Sequence, residues 1–387
     1  MYSTSNIEKP QELVINCCSF NIKTQYYFSA DFDQTWDTRK SLLIENDFFN
    51  HPTVLMWNDA GNNMIGYYGL IDKLDIIGFQ EVLSDNNGIS YSQYNDLISM
   101  LPGYNNVAGF RGITDDVWDD EACVIFWRSD RFSLYSNGKF WLSSTANNSH
   151  YNESRNWVGE KRICVWAILV EKKTKQKILV LNTHLPSYNT FNSAVKRGEA
   201  QRWSLNVIRK EINNILGSIN DCVPVILLGD FNCNSDTKTG SGTEIISSLI
   251  GDPRTDSSSD PSLGTPYHLF NTTNYGSKTV LTSAGQLNNV GQDYTMASYD
   301  GEWGIKYSKN MYQFGGLSSK ARFDYIFLSR WPMGYNSHKD SNSEIWCGHN
   351  VLKSCIAAPG IDDNRMWSDH CPVISQIIIH YPEGWWD

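Results

Sequence analysis

One stretch constrains this chain more than any other: residues 223–234, Val-Pro-Val-Ile-Leu-Leu-Gly-Asp-Phe-Asn-Cys-Asn. Its apolar residues run on without polar alternation and stop at a glycine, the pattern of a short buried strand. Asp230 and Asn232 stand two positions apart behind Gly229, so in extended chain their side chains leave the same face. An acid and an amide then sit side by side at the mouth of a sheet. Taken alone, such a pair more commonly marks a turn. Here the same grammar, a strand closed or introduced by a polar residue, recurs along the chain.

Residues 13–20 form a strand ending in Asn21, and 74–79 form another that stops at Gln80-Glu81. Strand 122–127 has Glu121 at its entrance, and strand 178–181 opens onto Asn182-Thr183-His184-Leu185. Strand 325–328 is introduced by Arg322-Phe323-Asp324, and the last strand, 373–379, follows Ser368-Asp369-His370. Residues 140–142 and 163–170 add two more. Helical spacing covers 38–49, 64–73, 91–101 and, most clearly, 194–216, which connects the His184 strand to the Asp230 strand as a crossover. Two polar excursions, about 252–320 and 331–367, read as loop insertions in one domain spanning 10–382, with short strands near 294–296 and 303–307.

Composition narrows the function. The net charge is -10, with 42 acidic against 32 basic residues, so no global basic field holds a polyanion. Hydrolysis of a phosphate-bearing substrate remains open, because a divalent cation supplies positive charge locally. The nine cysteines are scattered without a CxxC pair. Only Cys347 and Cys355 could be bridged, and the odd count favours a reducing compartment. The N-terminus lacks a basic segment followed by an apolar core, and no apolar run approaches the ~18 residues of a membrane span. A cytoplasmic protein without a transmembrane segment or an obligate protein partner is expected.

Gathered from the strand ends, the polar residues are Asn21, Glu81, Glu121, His184, Asp230, Asn232, Asp324, Asp369 and His370. Strand-rich folds bring such ends to one sheet edge. Hard oxygen donors such as Glu81, Asn21 and Asp369 suit Mg²⁺, whereas a structural zinc site is a poor fit without cysteine.

Together, Asn21, Gln80-Glu81, Glu121, Asn182-Thr183-His184-Leu185, Gly229-Asp230-Phe231-Asn232, Asp324-Tyr325-Ile326-Phe327 and Ser368-Asp369-His370, in this order, resemble the endonuclease/exonuclease/phosphatase superfamily, the group of deoxyribonuclease I and the neutral sphingomyelinases. The resemblance implies an α/β fold, a four-layer sandwich of two packed mixed β-sheets flanked by helices. It implies Mg²⁺, with Mn²⁺ as an alternative, held by Glu81, Asn21 and Asp369. Asp230 would activate the attacking water, and Asn232 would hold that water or a phosphate oxygen. His370 would face the phosphate with Asp324 on its other ring nitrogen. His184 would contact a phosphate oxygen, paired with Glu121 as in the deoxyribonuclease-like branch. A carboxylate beside each histidine would raise its pKa.

Simpler readings stand beside these. Glu121 could be solvated surface, Asp324 could pair with Arg322, and Trp141, Trp157 and Trp166 suit packing. Arg162 is a candidate for substrate phosphate, because a guanidinium fork matches that geometry. The partner implied is a phosphate-containing substrate: a nucleic acid, a nucleotide or a phospholipid head group. A phosphodiesterase or nuclease is the leading expectation, with a phosphomonoesterase or a sphingomyelinase-like lipid phosphodiesterase as alternatives. A non-catalytic scaffold using the aromatic loops is the reading from another class.

Overall fold

The computed structural model describes residues 11–25, 35–45, 47–50, 53–57, 64–69, 73–84, 92–111, 121–143, 161–187, 194–219, 223–232, 281–283, 289–291, 306–308, 311–313, 323–329, 349–356, 368, 370 and 372–381. In chain order the elements are β1 (Gln11–Asn21), α1 (Trp36–Glu45), β2 (Thr53–Trp57), β3 (Met64–Gly69), β4 (Ile76–Leu83), α2 (Gln93–Met100), β5 (Tyr104–Phe110), β6 (Glu121–Arg128), β7 (Phe132–Trp141), β8 (Ile163–Glu171), β9 (Lys177–His184) and α3 (Ala194–Gly217). Then come β10 (Val225–Asp230), β11 (Leu281–Ser283), β12 (Asn289–Gly291), β13 (Lys306–Ser308), β14 (Met311–Gln313), β15 (Asp324–Ser329), β16 (His349–Ile356) and β17 (Val373–Tyr381).

Two mixed sheets carry the fold. One has seven strands in the order β12-β16-β17-β1-β4-β6-β5, the other six in the order β11-β15-β10-β9-β8-β7. Side-chain alternation along each strand sorts the apolar residues into three cores. Leu13, Ile15, Ile76 and Ile125 of the larger sheet meet Val165, Val180, Ile226, Leu228 and Ile326 of the smaller one, filling the space between the sheets. The alternate residues Cys18, Phe20, Ile77, Phe79 and Phe126 face outward and are covered by Leu42 and Leu43 of α1 and Leu97 of α2. On the far side, Leu179, Leu181, Leu227 and Phe327 pack against Leu205, Ile208, Ile212 and Leu216 of α3. The result is four layers, helix, sheet, sheet, helix, the expected sandwich.

Several elements differ from expectation. Residues 64–69 form β3, a strand antiparallel to β2, in place of the helix expected over 64–73. Gly66 and Gly69 weaken a helix there, and Tyr67-Tyr68 favour extended chain. The 331–367 excursion contains β16, which enters the larger sheet beside β17. Cys355 lies in this strand, not in a loop, while Cys347 and the strand expected at 294–296 lie outside the described residues. Cys17, Cys18, Cys123 and Cys164 are buried thiols. Among the described residues, no helix is long and apolar enough to cross a membrane.

Candidate active site at one end of the inter-sheet layer

Three adjacent strands deliver three candidate groups at a single level. Asp230, the last residue of β10, is in register with His184, the last of β9, and opposite Asp324, the first of β15. All three continue the alternation of Ile226, Leu228, Val180 and Ile326, so they point into the inter-sheet layer. All three are buried. Phe231 turns the other way and packs edge-on against Tyr325 and Phe327 at 5.8 and 5.0 Å, which anchors the turn between Asp230 and Asn232. Gln201 of α3 donates to the Asn232 carbonyl at 3.1 Å and the Pro186 carbonyl at 2.8 Å, tying down the loops behind β9 and β10.

The larger sheet supplies Asn21, Glu81 and Glu121. Asn21 and Glu121 face inward by ordinary alternation, in step with Cys17 and Cys123. Glu81 does not. Its neighbours Ile77 and Phe79 face the helices, and regular pleating would send Glu81 there too. The β4–β6 ladder shifts between Phe79 and Val82, and Glu81 takes a φ of 59°, so the bulge redirects its carboxylate into the layer between the sheets.

The Glu81 carboxylate accepts from Asn21 Nδ2 at 2.9 Å and from the Thr24 amide at 3.0 Å. Arg39 of α1 holds the same loop, donating to the carbonyls of Ile22 and Lys23. Asn21 Nδ2 also donates to Asp230 Oδ2 at 2.9 Å, while the Asn21 side-chain oxygen accepts from the Lys23 amide. Asn21 therefore bridges the two acids through its nitrogen.

Asp230 is the hub. Its Oδ1 accepts from the Asn232 amide at 2.8 Å, and its Oδ2 lies 3.4 Å from His184 Nε2 and 3.8 Å from His370 Nε2. Burial, and then Asp324 beside it, push the Asp230 carboxyl up to about 7. His370 Nδ1 meets Asp324 Oδ2 at 2.7 Å, as expected.

The expected pairing of His184 with Glu121 does not form. Glu121 instead pairs with Arg111, at 2.9 Å, both side chains being buried. His184 Nε2 meets Asn232 Nδ2 at 2.9 Å, and that amide also donates to the Leu185 carbonyl at 2.9 Å. An amide proton aimed at Nε2 needs a lone pair there, which suits a neutral imidazole. Its pKa moves the opposite way from expectation: burial, then Arg162, Arg111 and His370, hold the imidazole well below its usual value. The 3.4 Å approach to Asp230 is thus a contact with a neutral ring, not an ion pair. Burial lifts the Glu121 carboxyl, with Arg111 pulling it back and Glu81 adding to the rise.

Arg162 is buried and acts electrostatically on both His184 and Glu121. Arg111 joins it, a residue the sequence did not single out because it follows a strand that was not expected. Asp369 lies outside the described residues. For a cation, one oxygen of Glu81, one of Asp230 and a ring nitrogen of His184 all lie within 4.8 Å of one another. Two buried or half-buried carboxylates converge on a single amide nitrogen, which is where positive charge is required, and the oxygen-rich set fits a hard divalent ion.

This arrangement of sheets is the deoxyribonuclease I-like sandwich fold. Solved structures similar to the chain include an endonuclease/exonuclease/phosphatase family protein from Bacteroides thetaiotaomicron, 19% identical, covering 96% of each chain with a TM-score of 0.59. Others are a mannosyl-6-phosphatase from the same species, 19% identical over 94% of this chain and 99% of that one (TM-score 0.56), and the human Nocturnin catalytic domain with bound sulfate, 16% identical over 96% and 97% (TM-score 0.52). No protein-family model and no curated protein matches the chain.

Proposed function

We propose that the protein is a divalent-metal-dependent phosphoester hydrolase, with Mg²⁺ as the ion and a phosphodiester as the first candidate substrate. The observation that carries this reading is the convergence of Glu81, Asp230, Asp324 and His370, drawn from four segments of the chain, at one end of the inter-sheet layer. Glu81 would hold the cation, with Asn21 beside it and Asp369 supporting it from the segment before His370. A bound divalent ion neutralises phosphate charge and polarises the phosphorus–oxygen bonds.

The chain's own groups account for the remaining steps. Asp230 takes a proton from the attacking water, which the adjoining Asn232 helps to hold. The water oxygen bonds to phosphorus as the phosphorus–ester oxygen bond breaks, and the departing oxygen takes up a proton from solvent. His370 presents Nε2 to a phosphate oxygen while Asp324 fixes Nδ1, so charge developing in the transition state meets an oriented donor. His184, neutral and buried, orders Asn232 rather than serving as a cation. The one domain spans 10–382, and its loops choose among nucleic acid, nucleotide and lipid head group.

One observation favours a second reading, a phosphomonoesterase. Glu121 sits on Arg111 and leaves His184 without the carboxylate partner that the deoxyribonuclease-like branch implies. Arg162 also brings a guanidinium beside the site, Arg111 being matched by Glu121, and a guanidinium suits a dianionic terminal phosphate. The mannosyl-6-phosphatase, one of the similar structures, is named for such a substrate. Hydrolysis of bis(p-nitrophenyl) phosphate against p-nitrophenyl phosphate, with Mg²⁺ or Mn²⁺ and with EDTA, separates the readings. Cleavage of neither, together with no turnover on RNA, DNA, sugar phosphate or sphingomyelin, would overturn both.

A further inference from the structure

Between the sheets, immediately beneath Glu81 and His184, the apolar layer is interrupted by a fully buried amide, Asn182 of β9. Ile178 and Val180, two and four residues earlier on the same face, are ordinary members of the inter-sheet core. A leucine at 182 would match the amide in size and suit that core. The amide's desolvation is offset only by its bonds, and those bonds all cross to the other sheet.

Asn182 Nδ2 donates to the Phe79 carbonyl of β4 at 2.8 Å and to the Val124 carbonyl of β6 at 2.9 Å. Its Oδ1 accepts from Gln80 Nε2 at 2.6 Å. Phe79 and Val124 are the last partners in the β4–β6 ladder before the register shift, and Gln80 is the first residue within it. One side chain of the smaller sheet therefore grips both strands of the larger sheet at the step where the bulge begins. Gly78 leaves room for it: a Cβ there would lie 3.0 Å from Asn182 Cγ and 2.9 Å from Leu228 Cδ1.

We infer that Asn182 is a positioning residue for the candidate metal carboxylate: by clamping Phe79, Gln80 and Val124 across the sheets, it fixes the bulge that turns Glu81 into the cleft. The inference rests on the reading of Glu81 as a metal ligand. Without the clamp, the strand regains the freedom to pleat regularly, which carries Glu81 toward the helical layer. A residue that merely fills the core has no such link to ion binding.

The test is Mn²⁺ binding to the full chain, measured by calorimetric titration without substrate, in Asn182→Leu, Gly78→Ala and Val180→Ala. Val180→Ala removes volume from the same inter-sheet core without touching the bulge. Asn182→Leu should fold cooperatively yet bind Mn²⁺ about tenfold more weakly or worse, the usual scale for losing a group that orients a ligand. Gly78→Ala, which crowds the amide without removing it, should shift affinity in the same direction, and Val180→Ala should leave it unchanged. Wild-type affinity in folded Asn182→Leu, or an equal loss in Val180→Ala, overturns the inference. If Asn182→Leu fails to fold, Gly78→Ala decides: weaker binding supports the clamp, and wild-type binding overturns it. Absence of any Mn²⁺ binding by the wild-type protein overturns the metal reading itself, a result distinct from the others.

Discussion

His370 Nδ1 lies 2.7 Å from Asp324 Oδ2, a contact between residues 46 positions apart that joins the start of β15 to the segment leading into β17. The bond fixes the ring so that Nε2 looks toward Asp230. Replacing Asp324 by Asn offers Nδ1 a mixed donor and acceptor and frees the ring to adopt the wrong tautomer. We predict that Asp324→Asn lowers kcat by roughly 10² to 10⁴, as loss of a positioned acid–base group does. The double variant with His370→Ala should be little worse than His370→Ala alone, because the two act as one unit. Steady-state kinetics of the three proteins on the best substrate checks this.

Asp230 gives a pH dependence whose sign is fixed by its burial. Its folded-state pKa, about 7, stands above the ordinary 3.8, so between these values the folded protein holds a proton that the unfolded chain releases. The associated stability is present at low pH and is lost as pH rises through about 7. The gap corresponds to ~4 kcal/mol at most, reduced in practice by relaxation. In EDTA, Asp230→Asn should therefore be about as stable as wild type at acid pH and more stable, by about 1–3 kcal/mol, at alkaline pH. Urea unfolding at both ends of the range measures it.

Ion binding should be visible without turnover. The metal-free protein holds the carboxylates of Glu81 and Asp230 against one amide nitrogen, and a divalent ion relieves that shortage of positive charge. Wild-type protein should gain thermal stability with Mg²⁺ or Mn²⁺, by about 2.7 kcal/mol at a hundredfold excess over Kd, and lose it on adding EDTA. Glu81→Gln should melt at one temperature regardless of the ion.

Gly229 of β10 is paired with Thr183 of β9. A Cβ there would fall far inside contact distance of the Thr183 carbonyl oxygen, which belongs to the backbone and has nowhere to go. Gly229→Ala should cost about 3 kcal/mol or more and displace Asp230 and His184 together, so chemical denaturation and activity should fall in the same variant. An alanine at Gly103, where nothing lies within contact distance, is the matching control.

What the sequence made legible follows the physics of burial. The inner strands β6, β9, β10, β15 and β17 are near-continuous apolar runs, and each announced its polar terminus. The edge strand β5 is mostly half-exposed and carries Asn105, Asn106 and Gly109, so it offers neither an apolar run nor clean alternation. Without it, Arg111 has no structural address, and the pairing of Glu121 with His184 rests on the family resemblance alone. The expected rise in the His184 pKa is reversed first by burial, which residue types do not reveal, and then by the guanidiniums of Arg162 and Arg111. The orientation of Glu81 was not legible at all. A bulge changes the face of every residue behind it, and residue types alone do not mark where the count skips. Asn182 was legible as part of a motif, but its bonds cross between sheets and leave no trace in local spacing.

The in-register alignment of His184, Asp230 and Asp324 has one more consequence. The pitch of the hydrogen-bond ladder works as a ruler: it spaces these groups at the interval between neighbouring strands, whatever the loops beyond them contain. Segments that meet the substrate are thereby free to diverge in length and composition while the spacing of the chemistry stays constant.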